Sequence, residues 1–98
     1  MRQLDIKAAA RSDLQDIYQC SAAEFGIDAA ESYLKGLRSS FDRLLEHPFA
    51  GRVFTGVNPT LRVLIHRRHQ VFYQLEGNLI LIVRVLHVRR DSRILLQD

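Results

Sequence analysis

Two apolar stripes of helical period, parted by Gly26 and a link of only two residues, constrain this chain more than any other feature of its sequence. On a wheel of about 100° per residue, Ala10, Leu14, Ile17, Tyr18, Ser21 and Phe25 share one face, with Asp13, Asp16, Gln19 and Ala23 on the other side. Gly26 then stops the first helix, since glycine takes the left-handed conformation at low cost. Asp28 is placed to cap a second helix, with Glu31 three residues on completing a capping-box pattern. That helix carries Ala30, Tyr33, Leu34, Leu37, Phe41, Leu44 and Leu45 as one stripe. It ends at His47-Pro48, because the residue before a proline disfavours helical backbone. So short a link folds the helices back as an antiparallel hairpin, and the hairpin needs an apolar partner.

The remaining segments supply it. Residues 3–7 alternate apolar and polar, the period of a strand, with Leu4 and Ile6 inward. Residues 48–60 hold both prolines and two glycines and read as loop. Three β-rich runs follow at 61–66, 70–75 and, after a tight turn at Glu76-Gly77-Asn78, 79–87. The third is apolar at nearly every position, which predicts a central strand covered on both faces; Arg84 interrupts it. A tail runs from Val88 to Leu96. The order β-α-α-β-β-β predicts an α+β fold of two layers, an antiparallel helix hairpin packed on a mostly antiparallel sheet. Residues 1–98 form one domain, of ordinary size for a single core.

Composition narrows the function. No apolar run approaches the ~20 residues a membrane span takes, the longest being Leu79-Ile80-Leu81-Ile82-Val83. Met1-Arg2-Gln3-Leu4-Asp5 lacks the apolar region of a signal peptide. Cys20 is the sole cysteine, so neither an internal disulfide nor a cysteine-cluster zinc site is expected. The expected location is the cytoplasm. Charge is uneven: residues 1–49 hold six basic against eight acidic residues, a balance of −2, whereas residues 50–98 hold eight arginines against three acidic residues, a balance of +5. Guanidinium forks fit carboxylates and phosphates. A basic half therefore points to a nucleic acid or an acidic protein segment as partner, with a solvated surface as the plain alternative.

Most catalytic constellations are absent. The five glycines never approach phosphate-loop spacing. The acidic residues of the second half, Glu76, Asp91 and Asp98, sit in a turn and a tail, which argues against a two-carboxylate hydrolase or a two-metal nuclease. His66 and His69 are three apart across a strand end, and zinc would need further ligands. What remains is a group of arginines with His69, Tyr73 and His87. Arg84, beside Ile80 and Ile82, needs a partner or solvent; it either pairs with Asp91 if the tail folds back or lines a concave face. His69 and Tyr73 share strand parity and read as a hydrogen-bonded pair on a half-buried face, or as neighbours of one ligand. Cys20 reads as a small filler at the edge of the first stripe.

Taken in order, Ala9…Asp13-Leu14…Ile17, Gly26…Ala30…Tyr33, Pro48…Gly51-Arg52, Leu61-Arg62, His69-x-x-x-Tyr73 and Ile82-Val83-Arg84-Val85-Leu86-His87-x-Arg89-x-Asp91 resemble the RelE/ParE toxin superfamily, and within it the ParE branch, over nearly the whole chain. The resemblance implies two helices on an antiparallel sheet and the toxin of a type II toxin–antitoxin pair. A cognate ParD-like antitoxin would neutralise it, and operator DNA would be reached only through that antitoxin. ParE-like members act on DNA gyrase and block replication, whereas RelE-like members cut mRNA in the ribosome. RNA cleavage needs a group to activate the 2′-OH, one to stabilise the phosphorane and one to protonate the leaving oxygen. Arg52, Arg62 and Arg84 suit the second role and His87 alone titrates usefully, so inhibition by contact, without chemistry, cofactor or metal, is the favoured reading. The alternatives are a ribosome-dependent mRNA endonuclease relying on Arg52, Arg62, Arg84 and His87, and a non-toxic antitoxin-binding co-repressor. Arg89, Arg90 and Arg93 are expected to touch gyrase; Arg62, His69, Tyr73, Arg84 and Asp91 are expected to hold the antitoxin or the fold. Val88 stands where many relatives have glycine, and its branched side chain stiffens the chain there.

Overall fold

Strand β1 (Gln3–Ile6) leads into helices α1 (Ala8–Phe25) and α2 (Ile27–Glu46), and strands β2 (Arg52–Phe54), β3 (Leu61–His66), β4 (His69–Glu76) and β5 (Leu79–His87) follow. A computed structural model describes residues 2–57, 59–90 and 95–96. The five strands form one sheet in the order β1-β5-β4-β3-β2. Only β1 and β5 run parallel; every other neighbouring pair is antiparallel. The two-layer α+β architecture is the one the hydrophobic periods predict.

The helices pack on one sheet face. Ala10, Leu14 and Ile17 of α1 and Leu37, Phe41 and Leu44 of α2 meet Val71, Tyr73, Ile80, Ile82 and Val85, with Leu4 and Ile6 against the same core. The opposite face carries a second cluster of Leu61, Val63, Phe72 and Leu86, closed over by Phe54, Val57 and Leu96. Two cores explain why β5 is apolar at nearly every position. A register shift between Phe72 and Tyr73 sets Val83 and Arg84 together opposite Phe72, a β-bulge that reverses the in–out alternation. Ile80 and Ile82 face the helices before it and Val85 after it.

Three local readings are corrected. Gly26, at φ +95° and ψ 164°, is at once the last cap of α1 and the first of α2, and its N–H donates to the Ala22 carbonyl. Helix α2 therefore starts two residues early, with Gly26 and not Asp28 as its cap; Asp28 lies inside its first turn, without a side-chain cap, where its charge complements the helix dipole. Phe25, expected on the buried face, is 58% exposed at the hairpin tip, where no sheet lies beneath it. Within the supposed loop 48–60, Arg52–Phe54 pairs with β3 as an edge strand, too short for its period to show in the sequence.

Candidate functional site

Beyond Ile82, β5 has lost its β1 neighbour, and α1 takes over that open edge. Asp13 lies three residues after Ala10 and four before Ile17, and is buried with them despite its charge. Its Oδ2 accepts from the Val85 N–H at 2.9 Å and from Arg84 Nε at 2.7 Å, while Oδ1 accepts from Arg84 Nη2 at 2.9 Å. The carboxylate thus replaces a missing strand at one rung and neutralises the arginine that interrupts β5. Its hydrogen bond, together with its charge, raises Arg84 above the ordinary arginine value against the opposing effect of burial. Arg84 therefore pairs with Asp13, not with the tail residue proposed from sequence; Asp91 and Arg93 lie outside the described residues.

A second arrangement fixes the loop after α2. The fully buried Tyr73 donates its hydroxyl to the Pro48 carbonyl at 2.8 Å and accepts the Gly51 N–H at 2.9 Å. A Cβ at Gly51 would stand 2.7 Å from the Tyr73 ring, so the approach requires glycine. Burial raises the Tyr73 hydroxyl above its ordinary value. Arg62 Nη1 donates to the Gly51 carbonyl at 2.7 Å, and its guanidinium lies 4.9 Å from the centre of the exposed Phe49 ring. Arg62 and Tyr73 thus both bond to the backbone of this loop.

His69 and Tyr73 do not pair, contrary to expectation: four residues of strand separate their Cα atoms by roughly 13 Å, and each has its own partner. His69 Nδ1 shares a 2.6 Å hydrogen bond with the Tyr33 hydroxyl of α2, and its ring meets those of Tyr33 and His87 edge to face at 5.4 Å each. Burial, followed by electrostatic interaction with His87, His66 and Arg68, lowers His69 to about 4, so its imidazole is neutral at pH 7. His87 Nδ1 accepts the Arg89 N–H at 3.1 Å. This cluster closes one end of a groove of about 760 Å³ between α1, the tip of the helix hairpin and the open end of β5. Asp16, Glu24 and the exposed Cys20 lie along the groove's α1 wall, with Arg67, Arg68 and Arg90 on the other side. Cys20 therefore faces the groove and is not a filler.

The four residues suited to RNA cleavage do not meet. Arg52 is on β2, Arg62 on β3, and Arg84 and His87 on β5. With strands about 4.8 Å apart, the sheet order separates Arg52 from β5 by roughly 14 Å. Asp13, Tyr33 and Phe49 carry parts of these arrangements without being among the site residues expected from the sequence, although Asp13 and Tyr33 stand in the stretches that carry the resemblance. For Asp13 a signal existed, since its spacing from Ala10 and Ile17 puts it at the border of the apolar stripe. No group of three potential metal ligands, and no helix long and apolar enough to cross a membrane, occurs among the described residues.

Comparison with known proteins agrees with this architecture. The family model described as the ParE toxin of the type II toxin–antitoxin system, parDE, matches residues 4–92. Toxin ParE1 of Mycobacterium tuberculosis is 37% identical over 87 residues, covering 88% of this chain and 89% of the relative. Toxin ParE1 of Caulobacter vibrioides is 29% identical over 93 residues, covering 95% of this chain and 96% of the relative. A solved structure titled as a chromosomal ParDE TA system from P. aeruginosa superposes with a TM-score of 0.79, at 24% identity, over 91% of this chain and 98% of that one; at that identity the likeness is one of fold.

Proposed function

Because the chain belongs to the ParE toxin family of type II toxin–antitoxin systems, we propose that it inhibits DNA gyrase, and so replication, by protein–protein contact in the cytoplasm, and that a ParD-like antitoxin neutralises it. The observation that carries the choice of contact over catalysis is the state of the arginines. Arg62 and Arg84 are committed to Gly51 and Asp13, and the residues that RNA cleavage would recruit are spread over β2, β3 and β5. Arg89 and Arg90, exposed in the turn after β5, are free to meet gyrase. The groove between α1 and β5, open beside the exposed Phe25, is the place for an antitoxin segment.

Parallel pulse-labelling with thymidine and methionine, minutes after induction of the chain alone, tests this reading. Thymidine incorporation falls first if replication is the target. An earlier fall in methionine incorporation overturns it in favour of an mRNA endonuclease, and His87→Ala then lowers activity by about 10²–10⁴-fold. No fall in either, with soluble protein accumulating, leaves the co-repressor reading. Reversal of Arg89 and Arg90 to glutamate is expected to abolish the replication effect.

A further inference from the structure

The turn between β3 and β4 is two residues long, Arg67-Arg68, flanked by the pair His66↔His69. Arg67 has φ +54°, the sole positive φ outside glycine among the described residues, and Arg68 does not share it. A hairpin with a positive φ at the first central position alone follows the type II′ sign pattern, which prefers glycine there. An arginine in that conformation costs about 1–2 kcal/mol. Backbone strain of this kind collects where a side chain is needed for function.

The neighbouring turn points the same way. Val88 N–H donates to the Arg68 carbonyl at 2.9 Å, and Arg90 N–H to that of His87 at 3.0 Å. Arg67, Arg68, Arg89 and Arg90 therefore crowd one end of the sheet, all of them exposed. Among the described residues the Arg84–Asp13 pair is the one salt bridge, so none of the four is neutralised by a described carboxylate. The crowding is felt locally: after burial, the cations of Arg67 and Arg43 hold His66 below its ordinary value. The nearest acidic wall, Asp16 and Glu24, lies across the groove on α1, which leaves the turn tips themselves as the positive surface.

We propose that these two turns form a binding surface for the phosphodiester backbone of duplex DNA, made by the chain itself without an antitoxin. Four protruding guanidinium groups match a rod of regularly spaced phosphates. An acidic peptide belongs in the groove, where Ile17, Phe25, Val85 and Leu86 line the space that Arg67, Arg68 and Arg90 border; the turn tips beyond it add to their charge only the exposed Val88. The contact is independent of sequence, since phosphates carry none. It stands apart from the gyrase reading, because naked duplex suffices to test it.

The test is fluorescence anisotropy of a labelled 20-base-pair duplex of arbitrary sequence, titrated with the full chain between 50 and 200 mM salt. Four phosphate contacts give a slope of log affinity against log salt of about −3.6, so affinity falls about a hundredfold over that range. Arg67→Gly flattens the slope by about 0.9 and weakens binding about tenfold at 50 mM, while the melting temperature stays level or rises, because glycine accepts the turn. Arg68→Gln repeats the binding loss without touching the strained position, and Arg38→Gln, on the outer side of α2, changes nothing. The proposal is overturned if the duplex does not bind at 50 mM, if Arg67→Gly and Arg68→Gln leave the slope unchanged, or if a poly-glutamate peptide binds where the duplex does not.

Discussion

Replacing Asp13 with asparagine tests the account of the open β5 edge most directly. The native carboxylate accepts three hydrogen bonds, two of them from a guanidinium. An asparagine oxygen can keep the Val85 N–H, but its amide NH₂ then faces Arg84 Nη2, donor against donor. Breaking a buried ion pair costs about 3–5 kcal/mol, and a hydrogen bond to a charged group is worth about 1.5–3 kcal/mol. The side chain of Arg84 is 22% exposed, so water recovers part of that loss, and a cost of about 2–3 kcal/mol follows. That is a large share of the 5–15 kcal/mol that a domain of this size has in total. At about 4–8 °C per kcal/mol the melting temperature drops by more than 8 °C. Urea unfolding followed by circular dichroism measures it, and a double-mutant cycle with Arg84→Met isolates the pair: asparagine costs much less once the guanidinium is gone. A loss below about 0.5 kcal/mol in the Arg84 background of the native chain would refute the reasoning, because surface pairs reach that value without any burial.

Tyr73→Phe removes only a hydroxyl, yet strands the Gly51 N–H and the Pro48 carbonyl; a loss of about 2 kcal/mol in urea melts is expected, with little change in proteolysis outside the 48–51 loop. Gly26→Ala meets no atom within 4 Å of the new Cβ, so its cost is backbone strain alone, about 1–3 kcal/mol, and Gly26→Asn is no milder, because φ +95° with ψ 164° lies outside the left-handed helical region that asparagine tolerates. His69 titrates near 4 in the fold and near 6.5 when unfolded. Between those values the unfolded chain binds more protons, so stability is complete above pH 6.5 and is lost as pH falls toward 4. Discounted for the partial exposure of the ring, the loss at pH 5 is about 1 kcal/mol, and denaturation midpoints of His69→Gln are expected to lack this dependence.

The helix hairpin was legible because each helix keeps one period over many residues and ends on a glycine or a proline; β3 and β5 were legible as β-rich runs that follow Pro59 and the Gly77-Asn78 turn. Strand β2 was not, since three residues carry no period. Strict alternation placed Arg84 with Ile80 and Ile82, on the face the helices cover; the bulge at Val83 and Arg84, and the end of β1 at the rung of Ile82, set it at an open edge beside Asp13, and neither shows in the sequence. Asp13 was assigned to the solvent side because a wheel sorts residues by polarity, and a buried carboxylate violates that sorting for the sake of a contact 71 positions away. The same holds for Tyr33, whose stripe position was visible but whose bond to His69 depends on how α2 lies across the β3–β4 turn.

Strand β1 pairs with β5, so the first strand of the chain waits for the last. During synthesis the helix hairpin and the β3–β4 hairpin have local partners as soon as they emerge, but Leu4 and Ile6 have none until Ile80 and Ile82 arrive. The parallel rung Lys7 N–H to Ile82 carbonyl and the Asp13 clasp on Val85 form at that same moment. Closure of the sheet is thus also a clock: a nascent chain displays its apolar helix faces early and its finished surface only at the end.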